Sequence, residues 1–312
     1  TNGNYPGIRM EAGTQVYSGG GNISIKAKTQ ANITNHWISA VRIEQNTKIN
    51  SGAGEIYIEG DSTAETIYSY GSGVSLNYGG TTKSMITSAG GSATESAIRI
   101  IGRGGTNENG IDSYWAYSKD SAVIESLGTG SIDLIGSTTH NSWYGVSLGG
   151  VAVLSKSGAI NIDGGVNGVQ FNNWNYSTAY GNLGACPTGS TPTNCNGTDT
   201  ATTTAANINI TAGRFDSVAD NAREVVATTG AYKILASASD GKFTGNVNHY
   251  ATFTGTVSDF DIGTDLGAAT HSATISNYAD VTSVNSIGLF GHLLNLNGSM
   301  TVTGSGLDIL AK

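Results

Sequence analysis

In the stretch SGAGEIYIEG, residues 51–60, Ile56 and Ile58 alternate with Glu55, Tyr57 and Glu59, and glycine bounds the run on both sides. A period of two marks a strand with one buried face, and the flanking glycines mark turns. The same phrase stands at 18–27 (SGGGNISIKA), 128–136 (GTGSIDLIG) and 155–164 (SKSGAINIDG), with weaker copies at 206–213 and 298–306. Ile23, Ile56, Ile98, Ile132 and Ile160 open successive copies, 33, 42, 34 and 28 residues apart. Between them runs a second phrase: ISAVRI at 38–43, GVSL at 73–76 and 145–148, and GVQF at 168–171. Strands of four or five residues cannot stand alone and need neighbours to pair their backbones.

Interleaving the two phrases gives a step of about 14 to 24 residues, the repeat size of a solenoid. The pattern therefore predicts an all-β fold, a parallel β-solenoid in which Ile stacks on Ile and Gly on Gly. At ~4.8 Å per coil, about 15 to 18 coils would make a rod ~70 to 85 Å long. An up-and-down barrel or sandwich would show hairpin turns between longer strands, and a propeller would repeat at about 40 to 50 residues. Composition agrees with the solenoid. The 312 residues include 45 glycines and only 3 prolines, and a ladder strand cannot spare the N–H that proline lacks.

The succession GVxL, a gap, then SGxGxIxIxG resembles the repeats of filamentous-haemagglutinin-like exoproteins, over about residues 15–180 and more thinly from 206 on. Autotransporter passengers are similar at this level. The resemblance implies a right-handed parallel β-helix and secretion through the two-partner pathway, with an outer-membrane secretion partner. It also implies a Gram-negative cell surface as the place of action, and a role in adhesion and virulence. The Asn-Pro-rich motifs of that family's secretion domain are absent, which would set this piece downstream of it. The opening TNGNYPGIRM has no signal-peptide layout, as expected of a mature product or a fragment of a longer chain.

Residues 181–205 break the pattern and hold two of the prolines and both cysteines, Cys186 and Cys195. This divides the chain into regular coils (1–180), a Thr/Pro/Cys loop insertion (181–205) and a less regular continuation (206–312). An extracellular setting favours a Cys186–Cys195 disulfide pinning a protruding loop; two thiols, or two ligands of a poor zinc site, are the alternatives. Just beyond, FDSVADNAREVV (215–226) carries apolar residues at 215, 218, 222, 225 and 226, a helix-like period, and reads as a short helix or an irregular coil.

A net charge of −8 disfavours nucleic-acid or anionic-membrane partners, and no run of 18 apolar residues could span a membrane. The five histidines are scattered, and neither a nucleophile elbow nor a phosphate loop is present. No cofactor or metal site is expected. Asp259, Asp261 and Asp265 are the best acidic candidates, because sugar-cleaving sites use paired carboxylates; a solvated turn is the plainer reading. Trp37, Tyr70, Trp115 and Trp143 follow their repeat isoleucines by 14, 14, 17 and 11 residues, with Tyr117 and Tyr144 close by and Trp174 out of register. They form either an exposed aromatic track for sugars or an internal stack filling the rod. The expected function is a non-catalytic segment of a secreted surface adhesin, presenting its flank to a host or bacterial cell-surface receptor or glycan. A polysaccharide lyase or hydrolase on the same scaffold, and a pure stalk, are the alternatives.

Overall fold

A computed structural model describes residues 7–29, 38–64, 71–78, 82–113, 121–171, 183–184, 207–217, 223–226 and 230–312. The chain is a parallel β-helix. Three long sheets form its sides, and within each sheet strands of successive coils pair in parallel. Sheet I, of 11 strands, carries the first phrase; sheet II, of 10, carries the second; sheet III has 8. The chain visits them in the order II, III, I and then starts the next coil.

The repeat isoleucines stack as the phrase requires. Ile23 pairs with Ile56, Ile56 with Ile98, Ile98 with Ile132 and Ile132 with Ile160. The column continues through Ile208, Tyr232, Phe260 and Ile287. All of these side chains are buried, in one core running the length of the rod. Val41, Val74, Ile111, Val146 and Val169 make the matching column in sheet II.

The number of coils differs from the sequence expectation. Both phrases lie in one coil, on two of its sides, so a coil spans 19 to 48 residues rather than about 14 to 24. The 10 or 11 strands of the long sheets give a rod of about 45 to 50 Å. In the middle of sheet III no alternation is visible, because the strands there are covered on both faces: Ala122–Ser126 and Val151–Ser155 are buried throughout. Inward-facing Ile124 and Val153 belong to the main core, while outward-facing Val123, Ala152 and Leu154 form a second apolar cluster.

Two more expectations change. Phe215–Ser217 and Arg223–Val226 are strands, not parts of a helix. Phe215 falls on Val169 and Val225 on Leu183, so pairing with the previous coil overrides the local helical period. Leu183 and Gly184, at the start of the presumed insertion, are a ladder strand of sheet III. Cys186 and Cys195 lie outside the described residues.

Glycine closes the corner where sheet I hands over to sheet II. Gly60, Gly102, Gly136 and Gly164 face Gly73, Gly110, Gly145 and Gly168, and a Cβ on any of the first four would overlap the carbonyl oxygen opposite. A Cβ on Gly73, Gly145 or Gly168 would overlap backbone atoms of the next coil or corner in turn, so the leading glycine of GVSL and GVQF is also a steric requirement. Near the C-terminus the core is partly polar. Buried His249 donates from Nδ1 to Asn277 Oδ1 (2.7 Å) and accepts at Nε2 from the Tyr232 hydroxyl (3.2 Å), among Phe215, Phe253 and Phe260.

Candidate binding cleft on the flank of sheet I

The outward side chains of sheet I form a register of their own: Ser24, Tyr57, Arg99, Asp133, Asn161, Asn209, Lys233 and Asp261, one per coil. Across its middle lies an open cleft of about 660 Å³, whose polar lining includes Glu55, Tyr57, Glu95, Arg99, Asp133 and Asn161. One irregularity builds its wall. Ser96 pairs with Ser131 but Ile98 pairs with Ile132, so Ala97 is an extra residue that bulges the strand. The turn before it, closed by Glu95 N–H donating to Ser92 O (3.1 Å), places Ala93, Thr94 and Glu95 on the cleft. Gly91 enters that turn at φ 72°, and a Cβ there would crowd the Ala97 nitrogen. Bulges often re-aim side chains beside functional sites.

The floor is tied down by hydrogen bonds between coils. Asp133 accepts from Ser131 (3.0 Å), from Asn161 Nδ2 (2.7 Å) and from Ser96 Oγ, and Asn209 Nδ2 donates to Asn161 Oδ1 (2.9 Å). The Tyr57 hydroxyl donates to Glu59 (2.8 Å), which also takes Arg103 (2.6 Å). Arg103 and then Tyr57 hold the Glu59 carboxyl below its usual range. Burial, then the Glu59 hydrogen bond, push the Tyr57 phenol up. Lys26 lies 4.6 Å from the centre of the Tyr57 ring. Arg99 is exposed in the cleft, and no described residue forms an ion pair with it.

Among family models, curated proteins and solved structures, none matches the chain.

Of the aromatic residues singled out by sequence, Trp37, Tyr70, Trp115, Tyr117 and Trp174 lie outside the described residues. Trp143 and Tyr144 lie just before the sheet II strand Val146–Ser147. Trp143 and Tyr144 are half-buried. The Arg214 guanidinium sits 4.1 Å from the Tyr144 ring and donates to the Trp143 carbonyl (3.1 Å). Burial, then the Asp216 charge, push the Tyr144 phenol up to about 12. The pair forms a clamp between coils, with Arg214 packed on the Tyr144 ring.

The three acids do not converge. Asp259 accepts from Ser258 (2.9 Å) and Ser286 (2.8 Å), Asp261 pairs with Lys233 (2.9 Å), and Asp265 takes Lys312 (3.3 Å) and the Gly267 N–H (2.9 Å). Burial acts to raise Asp259, yet the serine hydrogen bonds and that of Asn285 hold it below its usual value. The Gly267 N–H and then Lys312 do the same for Asp265. A general acid needs the opposite shift. Among the described residues no group of three or more His, Cys, Asp or Glu side chains is placed to hold a metal ion, and no helix is long and apolar enough to cross a membrane.

Proposed function

We propose that this chain is a non-catalytic binding segment of a surface-exposed β-helical protein, an adhesin-like flank that takes an extended glycan along sheet I. The cleft over Tyr57, Arg99, Asp133 and Asn161 carries the reading. Its groups recur once per coil, about 4.8 Å apart, on the scale of one sugar ring. An aromatic ring, a guanidinium, a carboxylate and an amide side by side offer stacking and hydrogen bonding to hydroxyls. The resemblance to filamentous-haemagglutinin-like repeats supports a secreted, cell-surface setting and a host or bacterial glycan as partner.

A second reading, a polysaccharide-cleaving enzyme, draws on the carboxylates Glu55, Glu95 and Asp133 gathered in the same cleft. A glycan array followed by a reducing-sugar assay on the bound species separates the two. The expected result is binding without release of reducing ends. Tyr57→Ala or Arg99→Ala should weaken it about five- to tenfold while leaving thermal stability within about 1 kcal/mol of the parent. Released reducing ends would establish the enzyme; an array with no bound glycan would leave a stalk.

A further inference from the structure

Tyr250 and Tyr278 stand one coil apart at the same corner of the rod. Each directly follows a strand of sheet II, Val247–His249 and Thr274–Asn277, and these strands pair in parallel with His249 on Asn277. That register carries the two rings onto each other: their centres are 4.1 Å apart and their planes 3° from parallel. Free rings prefer offset or edge-on contacts, so the backbone, with its coil spacing of ~4.8 Å, imposes this one. Both residues are anchored. The Tyr278 N–H donates to His249 O (2.9 Å), and the Tyr250 N–H donates to Ser217 Oγ (2.7 Å). Burial, then the hydrogen bond to Tyr278, push the Tyr250 phenol up, so the hydroxyls meet as the rings do. Tyr278 is 39% exposed and Tyr250 half-buried, which puts the stack at the surface. Among the described residues no other two tyrosine rings stack. Tyr57 is tied to Glu59, Tyr144 lies under Arg214, and Tyr232 is buried in the core.

We infer that Tyr250 and Tyr278 are an oxidative cross-linking site, joined as dityrosine by hydrogen peroxide and a haem peroxidase. Each phenol gives up one electron and its hydroxyl proton. The resulting phenoxyl radical carries part of its unpaired spin on the ring carbons ortho to oxygen. In a parallel stack with adjacent hydroxyls, these carbons face each other. Coupling forms one carbon–carbon bond; the hydrogen on each coupled carbon then leaves as a proton while each oxygen regains one, which restores two phenols. The pair loses two hydrogen atoms in all, and one hydrogen peroxide takes them up as two waters. The bond falls where the third side of the rod runs out. Ala251–Thr254 is the last strand of sheet III, so among the described residues the coil of Tyr278 is held by sheets I and II alone. A covalent tie to the coil before it replaces the missing ladder.

The test is treatment of the folded chain with peroxidase and hydrogen peroxide, dilute enough to keep molecules apart. The product should show the blue fluorescence of dityrosine, migrate as one chain and weigh two hydrogen atoms less. Its protease digest should contain the fragments bearing Tyr250 and Tyr278 joined together. Tyr278→Phe keeps a ring in the stack and removes its hydroxyl, so its strand-rich circular dichroism should be retained while the intrachain product is lost. A parent that forms no intrachain dityrosine under conditions that couple free tyrosine would overturn the inference. So would coupling that occurs only between molecules or at other tyrosines, or a Tyr278→Phe variant with as much intrachain product as the parent.

Discussion

Gly136→Ala is expected to cost about 3 kcal/mol of stability, the upper part of the range for overpacking a closed site. The added Cβ would overlap the carbonyl oxygen of Gly145, which is backbone and cannot swing aside. Gly145 is held in turn by the coils on either side: the Ile111 N–H of the previous coil donates to its carbonyl (2.9 Å), and Val146 next to it donates to Gly168 O of the following coil (3.3 Å). Moving one corner therefore strains the coils on both sides, and each coil of a solenoid depends on its neighbours. Gly21→Ala is the control. Its Cβ would find nothing nearer than 3.9 Å, and its backbone is not left-handed, so the change should stay within about 0.5 kcal/mol. Denaturant unfolding of both variants beside the parent reads the difference; equal midpoints would show that the corner is not closed.

Acid should weaken the fold through His249. Burial lowers its pKa from 6.5 to about 4, with the Asn277 hydrogen bond opposing. Above pH 6.5 the imidazole is neutral in both states, and its contribution to stability is complete. As the pH falls below 6.5 the unfolded chain takes up a proton that the folded core refuses, until the pH reaches about 4. Stability declines across that window by about 3 kcal/mol in total. His271, lowered chiefly by burial and then by Lys312, adds to the decline in the same direction. Unfolding free energies at several pH values between 7.5 and 4.5 should fall steadily in the parent and more shallowly in His249→Gln. Identical slopes would place the acid sensitivity elsewhere.

Sheet I could be read from the sequence because its strands have one wet and one dry face. GEIYIEG, SIDLIG and GAINIDG show this alternation, and their stacking follows from it. The column also survives where the letters change: Tyr232 and Phe260 occupy isoleucine positions because the site asks only for a buried apolar side chain. The middle of sheet III is not legible in the same way, since VAVLS is buried on both faces and has no period to find, and its first strands, QVY and KIN, are only three residues long. That gap inflates the coil count expected from the sequence. With one side of each coil unseen, the two visible phrases passed for two coils.

The cleft was illegible for a different reason. Tyr57, Arg99 and Asp133 are the ordinary polar half of an alternation, and nothing local marks them as a group. They meet because three coils with spacings of 42 and 34 residues stack in register, and because the bulge at Ala97 raises a wall beside them. The Asp259, Asp261 and Asp265 group failed in the opposite sense. Nearness in sequence suggests a cluster, while Ser286, Lys233 and Lys312, from elsewhere in the chain, take the carboxylates separately.

The cleft depends on the one-per-coil register of sheet I, and one distance tests it. Ser24 and Lys233 stand six coil steps apart, through Tyr57, Arg99, Asp133, Asn161 and Asn209. With the native cysteines changed to serine, spin labels on Ser24→Cys and Lys233→Cys give their separation by electron–electron double resonance. Stacking in this register predicts about 30 Å between the labelled positions; a separation near 60 Å, as two coils per repeat would give, contradicts it.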